Sequence, residues 1–496
     1  MTSPEVTIAQ GHLRGCSVDK DIDVFKGIRY AEAPYGPLRW QPPQPIRPSC
    51  HTFEATEFGP CCPQQVLPFD TAPKVMDEDC LRLNIWRPAG CSQSDALPVM
   101  VWIHGGGFVN GSACAARYDG SSFARSGVIF VSIHYRLGRL GFFAHPALED
   151  DPLRGNYGLM DQIEALRWIK ENIAAFGGDK HNITVFGESA GGMSIISLLT
   201  SRITHGLFNK AIIQSGGGRH NLVPGNDWAT AVEQTYALAH MMNIPAGKSR
   251  ASLEALRAVP AHQLVKGLDM GNLHERPGYC APMIDGVIIE DEPQTLFQQG
   301  AYHRIPIIIG TTDADLGFAA IAKTLDDALA LFQPNSESDQ RARAIFAHQP
   351  PQRIAQQLAT DQLMTEPARF VAQKAYHHHS DAWLYRFGYV PETLADGVTG
   401  SPHGGEIEFV FNTLGSLHCP VSARDREVAE LIHRYWVAFA QEGRPQAQGL
   451  PEWAPYNPND DNVLWISPLG ARHSSILKPD PWHERLDLVA KLAGDS

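Results

Sequence analysis

The sequence predicts an α/β fold in which helices flank a large, mostly parallel central sheet. Apolar runs of strand length recur along the chain, and stretches with helical spacing lie between them. The runs are continuous rather than alternating, which is typical of strands buried on both faces of a parallel sheet. The predicted strands lie at 99–103, 128–133, 183–186, 211–214, 304–309 and 382–387.

Two helices are predicted from the spacing of their apolar residues. A stripe of leucine and isoleucine covers 159–176 and stops at Gly177 and Gly178. A second amphipathic stripe covers 428–439 and stops at Gly443. Glycine is common just after a helix because it adopts the left-handed conformation without steric cost.

Two long segments interrupt this alternation, at about 227–299 and 323–379, and both are expected to be mainly helical. Insertions of this kind usually form walls or a lid over a site. No internal repeat and no Gly/Ser-rich linker divides the chain. We therefore expect a single domain over residues 1–496.

Composition excludes several classes of protein. The 496 residues are 43% hydrophobic and 19% charged, which suits a globular chain with a large core. Lys and Arg total 41 against 54 Asp and Glu, for a net charge of −13, so the chain has no general attraction for nucleic acid.

Nine cysteines, an odd number, argue against a disulfide scaffold. With neither a secretory leader nor an apolar run of spanning length visible, the expectation is a cytoplasmic protein without a membrane partner, monomeric or homodimeric.

A candidate nucleophile lies at Ser189. Gly187, Ser189 and Gly191 form a G-x-S-x-G pattern, with a predicted strand directly before it and a helix of small residues directly after it. A strained strand-to-helix turn leaves no room for side chains two positions either side, and it exposes the serine at a helix N-terminus. A tight turn with an incidental serine is the alternative, and the combination of strand, turn and helix disfavours it.

A glycine run at 105–107 follows the strand at 99–103. Consecutive glycines let backbone N–H groups approach a substrate closely, as a tetrahedral oxyanion requires. The predicted donors are the N–H groups of Gly106, Gly107 and Ala190. A phosphate-binding loop is excluded because no Gly-Lys-Ser/Thr follows. His104 is expected to pack and hydrogen-bond within this loop rather than act as a base.

With these residues, the sequence resembles the type-B carboxylesterase/cholinesterase family of α/β-hydrolases, and within it the bacterial para-nitrobenzyl-esterase-like members. Several long motifs occur in the family's order over most of the chain, at 25–34, 78–84, 102–108, 135–136, 155–162 and 183–192. The resemblance implies the α/β-hydrolase fold and a triad in the order Ser, acid, His.

The resemblance places the general base at His403. The segment 401–411 is similar to the family's histidine loop, so His403 would take the Ser189 proton and later return it. The chain has 21 histidines, and position alone would not single this one out. The three consecutive histidines at 377–379 are expected to lie on the surface rather than bind a metal, since no Cys or carboxylate has a spacing suited to a metal site.

The triad acid is predicted at Asp315, with Asp313 as the alternative. Family members usually carry Glu a few residues after a strand that ends in Gly-Thr-Thr, but both acids here are Asp. Counted from Gly310, Asp315 takes the usual position, although the expected glycine comes one place late, at Gly317. The other aspartate is expected to be a solvated turn residue or helix cap.

The resemblance also implies supporting residues around the triad. Glu188 is expected to line the pocket and to hydrogen-bond through water. Ser215 and Glu406 resemble the family's buried Ser–Glu network behind the triad. Two structural ion pairs are implied as well, Arg39 with Glu78 and Arg136 with Asp161.

The loop from Cys62 to Cys80 departs from the cholinesterases. It contains no Trp, so the aromatic platform that holds choline there is missing, and Phe69 is a poor replacement. Secreted members close this loop with a disulfide, which would here join Cys62 or Cys61 to Cys80. In a reducing cytoplasm the pair would remain thiols.

The resemblance and the residues together imply a serine carboxylesterase that hydrolyses small to medium neutral esters through an acyl-enzyme, without metal or organic cofactor. A lipase or amidase on the same triad is an alternative. A non-catalytic, cholinesterase-like binding protein is another, and the presence of serine, glycine loop and histidine disfavours it. Activity is expected to fall as His403 protonates, around pH roughly 6.5.

Overall fold

The computed structural model describes residues 3–66, 75–272, 279–316, 322–330, 336–346 and 348–494. Its main sheet has eleven strands among these residues, in the order β16-β15-β14-β13-β12-β11-β7-β8-β6-β4-β3. A small sheet joins β1, β2 and β5, and β9 pairs with β10. The strands are β1 Glu5–Ile8, β2 Gly11–Arg14, β3 Cys16–Asp19, β4 Ile22–Arg29, β5 Thr52–Glu54, β6 Arg82–Pro88, β7 Leu97–Ile103, β8 Ile129–Ile133, β9 Phe142–Phe143, β10 Gly155–Asn156, β11 Gly178–Glu188, β12 Lys210–Gln214, β13 Ile307–Thr312, β14 Ala382–Phe387, β15 Val463–Ile466 and β16 Ser475–Leu477.

The centre of the main sheet is parallel, as predicted. Every neighbouring pair from β8 across to β15 is parallel, and antiparallel pairs occur only towards the two edges of the described sheet. All six predicted strands are present. The fifth begins at Ile307 rather than at 304, because Pro306 has no N–H to donate to a neighbouring strand.

The α-helices of the described residues surround this sheet. Both helices predicted from apolar stripes are present, as α3 and α14, and each is followed by a left-handed glycine, Gly177 and Gly443. The last four residues of the first stripe form a 3₁₀ turn. The helices are α1 Ser121–Arg125, α2 Gly138–Gly141, α3 Tyr157–Asn172, α4 Ala190–Thr200, α5 Trp228–Met241, α6 Arg250–Arg257, α7 Ala261–Leu264, α8 Pro293–Gln299, α9 Leu325–Ala330, α10 Ser336–Ile345, α11 Pro351–Thr360, α12 Glu366–His377, α13 Ile407–Val410, α14 Ala423–Glu442 and α15 His483–Leu492.

Successive residues of β7 explain why its apolar run is continuous. Val99, Val101 and Ile103 belong to the core on one face of the sheet, with residues of α3 and α4. Met100 and Trp102 belong to the core on the other face, with residues of α13 and α14. Both faces are covered, so every position of the strand must be apolar.

The two predicted insertions differ in how helical they are. The second contains α9 to α12 and a π-helical stretch, Asp361–Thr365. The first contains α5 to α8, but residues 279–292 have no helix, so the expectation of a mainly helical segment was wrong there. Asp285 organises this part as a turn, because its Oδ1 accepts from the N–H groups of Val287, Ile288 and Ile289.

Both implied ion pairs are present; Arg136 and Asp161 are buried, whereas Arg39 is buried and Glu78 half-buried. Arg136 donates to the two carboxylate oxygens of Asp161 at 2.8 and 2.7 Å, and Arg39 does the same with Glu78 at 2.8 and 2.5 Å. They connect the loops around β8, α3 and the N-terminal segment. Within the described ranges, every helix is too short or too polar to cross a bilayer.

Candidate active site

The candidate nucleophile lies on a strained turn at the carboxyl edge of the sheet. Ser189 follows β11 and precedes α4, with φ 57° and ψ −125°. A non-glycine residue with positive φ costs on the order of 1–3 kcal/mol, and such strain is usual at active sites. A Cβ on Gly187 would lie 2.6 Å from the carbonyl oxygen of Ile103, and one on Gly191 would collide with the same oxygen. The predicted elbow is therefore present, and its glycines are required by the close approach of β7.

The glycine loop lies directly against this turn. A Cβ on Gly105 would be 3.0 Å from the Cβ of Ser189. Gly106 and Gly107 have φ of 110° and 61°. Within the described part of the chain, the N–H groups of Gly106, Gly107 and Ala190 donate to no protein acceptor. Three such donors beside a serine can bind an oxyanion.

Side chains from elsewhere hold the glycine loop in this shape. The amide of Gln64 accepts from the N–H of Gly111 and donates to its carbonyl, both at 2.7 Å. Tyr279 donates its hydroxyl proton to the carbonyl of Gly107 at 2.6 Å. Glycine has little conformational preference of its own, so these contacts are needed to keep the N–H groups aimed. Sequence reasoning missed Gln64 and Tyr279, because their partners are backbone atoms.

The structure brings His403 and Asp315 together. Nδ1 of His403 contacts Oδ1 of Asp315. The other oxygen of Asp315 accepts from the hydroxyl of Ser215 at 2.6 Å and from the N–H of Thr312 at 3.2 Å. The aspartate is fully buried, so these three contacts orient it. Gly317, the late glycine of this motif, lies outside the described residues.

Asp313 is a half-buried turn residue with a different partner. Its Oδ1 accepts from the N–H of Ser401 at 2.6 Å, two residues before His403. Burial raises the pKa of Asp313 to about 6, although the hydrogen bond from the Ser401 N–H acts to lower it. Asp313 therefore connects the acid loop to the histidine loop through the backbone.

Ser215 and Glu406 also have separate partners. Ser215 donates to Asp315, whereas Oε1 of Glu406 accepts from the amide of Gln214 at 3.0 Å. No bond between Ser215 and Glu406 is present among the described residues, so the implied Ser–Glu network is divided. Gln214, which the sequence did not indicate, also accepts from the indole of Trp436 at 3.1 Å, and its amide is thereby fixed.

Glu188 contacts the histidine directly, where a contact through water was expected. Its Oε1 lies 3.2 Å from Nε2 of His403. Gly404 makes room for it, since a Cβ there would be 3.3 Å from the same oxygen. Within the described part of the chain, Ser189 Oγ makes no hydrogen bond, so its bond to His403 stays a prediction. Such bonds often form only once substrate is bound.

Opposing effects set the charge of His403. Burial favours the neutral ring, but the carboxylates of Glu188 and Asp315 favour the imidazolium and raise the pKa of His403 to about 10. Burial, followed by the nearby carboxylate of Glu188, also raises the pKa of Glu406 to about 8. The pKa of His403 is therefore higher than the value of about 6.5 expected from the sequence.

Other histidines have structural contacts. His104 stacks on Tyr135 and its Nδ1 lies 2.9 Å from the carbonyl of Gly105, while burial lowers its pKa to about 4. His377 and His379 are exposed, and His378 lies against Tyr302. No cluster of three or more His, Cys, Asp or Glu side chains suited to a metal occurs in the described ranges.

Cys62 and Cys80 lie in side-chain contact and are both buried. The Cys62 contact, followed by burial, raises the pKa of the Cys80 thiol. Among the described residues no two cysteines form a disulfide. Phe69, in the loop between them, lies outside the described residues.

The motifs and this geometry agree with the comparison against known families. A model of the carboxylesterase family matches residues 2–480. This chain belongs to the carboxylesterase family. It is therefore a hydrolase that acts on ester bonds, and it has the α/β-hydrolase fold, as the resemblance implied.

Individual relatives of this carboxylesterase cover nearly its whole length. The para-nitrobenzyl esterase of Bacillus subtilis (strain 168) is 34% identical over 489 residues, which cover 94% of this chain and 95% of the relative. The fumonisin B1 esterase of Sphingopyxis macrogoltabida is 33% identical over 487 residues, covering 93% and 86%. A solved carboxylesterase from Geobacillus stearothermophilus superposes with a TM-score of 0.83 at 32% identity, covering 98% of this chain and 99% of the other. The resemblance to para-nitrobenzyl esterases is confirmed, and these esterase relatives do not favour a lipase, amidase or binding protein.

Proposed function

We propose that this enzyme is a serine carboxylesterase that hydrolyses small to medium neutral esters with Ser189 as nucleophile, His403 as general base and Asp315 as the triad acid. The observation that carries the assignment is the contact between buried Asp315 and His403 Nδ1. It is supported by the strained serine in the same site and by N–H groups that have no protein acceptor among the described residues. These are the parts that acyl transfer requires.

The first half of the proposed reaction forms an acyl-enzyme. Ser189 Oγ attacks the ester carbonyl carbon while His403 Nε2 accepts the hydroxyl proton. The carbonyl oxygen becomes an oxyanion, which accepts from the N–H groups of Gly106, Gly107 and Ala190. The intermediate then collapses, the C–O bond to the alcohol breaks, and His403 returns the proton to the leaving oxygen.

The second half releases the acid. A water molecule attacks the acyl carbon as His403 Nε2 accepts one of its protons, and a second oxyanion forms in the same site. The bond to Ser189 Oγ breaks, and the proton on His403 returns to the serine. Only side chains, backbone N–H groups and water take part in this scheme.

A substrate panel tests the reaction class. We expect p-nitrophenyl acetate and butyrate to be hydrolysed faster than the laurate ester, and far faster than the matched p-nitroanilide. An anilide must receive a proton from His403 before it leaves, whereas a phenolate leaves without one. Initial rates at equal concentration provide the comparison. A preference for the laurate ester or for the anilide would contradict the carboxylesterase assignment in favour of a lipase or an amidase.

The charge of Glu188 should set the pH at which activity appears. Because the Glu188 carboxylate stabilises the imidazolium, the wild-type midpoint of the acid limb of kcat/KM should lie above 6.5. In Glu188→Gln the neutral ring is favoured, so the midpoint should move about one pH unit lower. The measurement is kcat/KM from pH 5 to 10 for p-nitrophenyl butyrate. Glu164→Gln, a half-buried glutamate on α3, is the control, and an unmoved midpoint in Glu188→Gln would refute this role.

The remaining features of the proposal concern the whole protein. We propose one catalytic domain. The main sheet supports this, because its strands come from residues 16 to 477 of the chain. We also propose a bacterial, cytoplasmic enzyme, a monomer or homodimer, and the bacterial para-nitrobenzyl esterase relative supports the bacterial part. Cell fractionation and sedimentation would test location and assembly.

A further inference from the structure

The loop that carries His403 has no regular secondary structure of its own. Residues 403–406 form turns, Pro402 makes an isolated bridge with Ala314, and Gly404 has φ of 70°. The direction of the imidazole therefore depends on how the loop backbone is anchored. Before His403, the anchor is Ser401, whose N–H donates to Asp313 at 2.6 Å and whose carbonyl accepts from the N–H of Ala314 at 3.1 Å.

The anchor after His403 comes from Arg117, which is distant in sequence. Nη2 of Arg117 donates to the carbonyl of Gly404 and to Oε2 of Glu408, each at 3.0 Å. The carbonyl of Arg117 in turn accepts from the hydroxyl of Thr413 at 2.9 Å. The short 3₁₀ turn Ala116–Tyr118 is thereby connected to the histidine loop and to the residues that follow α13.

Arg117 is also a cation among several carboxylates. The charged groups that face His403 are Glu188 at the end of β11, Asp315 after β13, Glu406 on its own loop, and Arg117 with Glu408 beside Gly404. Burial disfavours the charged guanidinium, but Glu408 and then Glu188 and Glu406 outweigh it and raise the pKa of Arg117. Arg117 therefore stays charged at the edge of the site.

We propose that Arg117 is a positioning residue for His403: it holds the Gly404 carbonyl so that the imidazole faces Ser189 and Asp315, and its charge offsets part of the surrounding negative charge. The inference rests on the proposed function, in which His403 is the base. Arginine suits the task because its planar guanidinium presents several donors in fixed directions and cannot lose its proton.

The Arg117→Met variant removes both the donor and the charge. A displaced imidazole transfers the proton less effectively, so kcat should fall about 10- to 100-fold while KM changes less than about threefold. Without the cation, the carboxylates favour the imidazolium more strongly, so the acid limb of kcat/KM should move to higher pH. Arg125→Met removes an exposed ion pair with Asp19 and should behave as wild type.

Two conservative variants separate the contact from the charge. Arg117→Lys keeps the charge but has no planar fork, so its pH midpoint should match wild type while kcat falls several-fold. Glu408→Gln leaves the contact to Gly404 in place, so kcat should stay within about threefold of wild type. Should Arg117→Met not fold, Arg117→Lys tests the contact alone, and a wild-type kcat in it would overturn the proposal.

Active-site titration with a p-nitrophenyl phosphonate separates positioning from folding. If Arg117→Met lowers only the titrated fraction, and kcat per titrated site equals wild type, the residue is merely structural and the proposal fails. An unmoved pH midpoint in Arg117→Met would overturn the electrostatic part. Ser189→Ala, assayed in parallel, tests the proposed function separately: full activity there refutes the mechanism whatever Arg117 does.

Discussion

Ser189→Ala is expected to lower kcat for p-nitrophenyl butyrate on the order of 10⁵-fold. In the proposed mechanism the Ser189 hydroxyl is the attacking group, and alanine has no group that could replace it. Alanine keeps the Cβ and the backbone conformation of φ 57°, so the turn and the N–H groups around it should be unchanged. The residual rate would come from oxyanion binding and substrate positioning alone.

The control variant for Ser189→Ala lies on α4, the helix that follows the turn. Ser197→Ala removes a hydroxyl that donates to the carbonyl of Met193, and it should keep wild-type activity. Mass spectrometry after treatment with a p-nitrophenyl phosphonate should find an adduct on the Ser189 peptide of wild type and none in Ser189→Ala. Retained hydrolysis in Ser189→Ala, with an adduct elsewhere, would identify a different nucleophile.

Asp315→Asn is expected to lower kcat/KM about 10⁴-fold. One side-chain oxygen of Asp315 accepts from Ser215 and from the Thr312 N–H, so the amide oxygen of asparagine must occupy that position. The amide NH₂ then faces Nδ1 of His403 and forces the tautomer with its hydrogen on Nε2. That tautomer cannot accept the proton of Ser189.

Asp313→Asn is the matched control for this variant. The amide oxygen can still accept from the Ser401 N–H, so the histidine loop should keep its anchor. At most about 1 kcal/mol of hydrogen-bond energy is lost, which corresponds to less than about a tenfold loss of kcat/KM. Thermal midpoints of both variants should accompany the rates. The reverse pattern, an active Asp315→Asn and an inactive Asp313→Asn, would assign the acid to Asp313.

Features encoded by neighbouring residues could be predicted from the sequence. The elbow at Ser189 and the glycine loop each occupy a few consecutive positions, and steric rules apply directly to them. The parallel sheet was predictable because a strand covered on both faces must be apolar throughout, as Val99 to Ile103 show.

Contacts between distant segments could not be predicted in this way. Whether Glu188 touches His403 directly depends on where Gly404 leaves space. Arg117 lies 287 positions from Gly404, and no local pattern relates the two. The raised pKa of His403 could not be predicted either, because it depends on which carboxylates the folded loops bring beside the buried ring.

The fold class and the family could be predicted from the sequence, and so could the proposed nucleophile and oxyanion donors, because short runs of adjacent residues encode each of them. Which aspartate reaches the histidine is shown by the folded structure, because Asp313 and Asp315 have the same side chain and lie two residues apart. The turn after β13 directs one carboxylate to His403 and the other to the backbone of Ser401. The orientation of the Asp315 carboxylate is fixed by its burial and by the hydrogen bonds from Ser215 and Thr312.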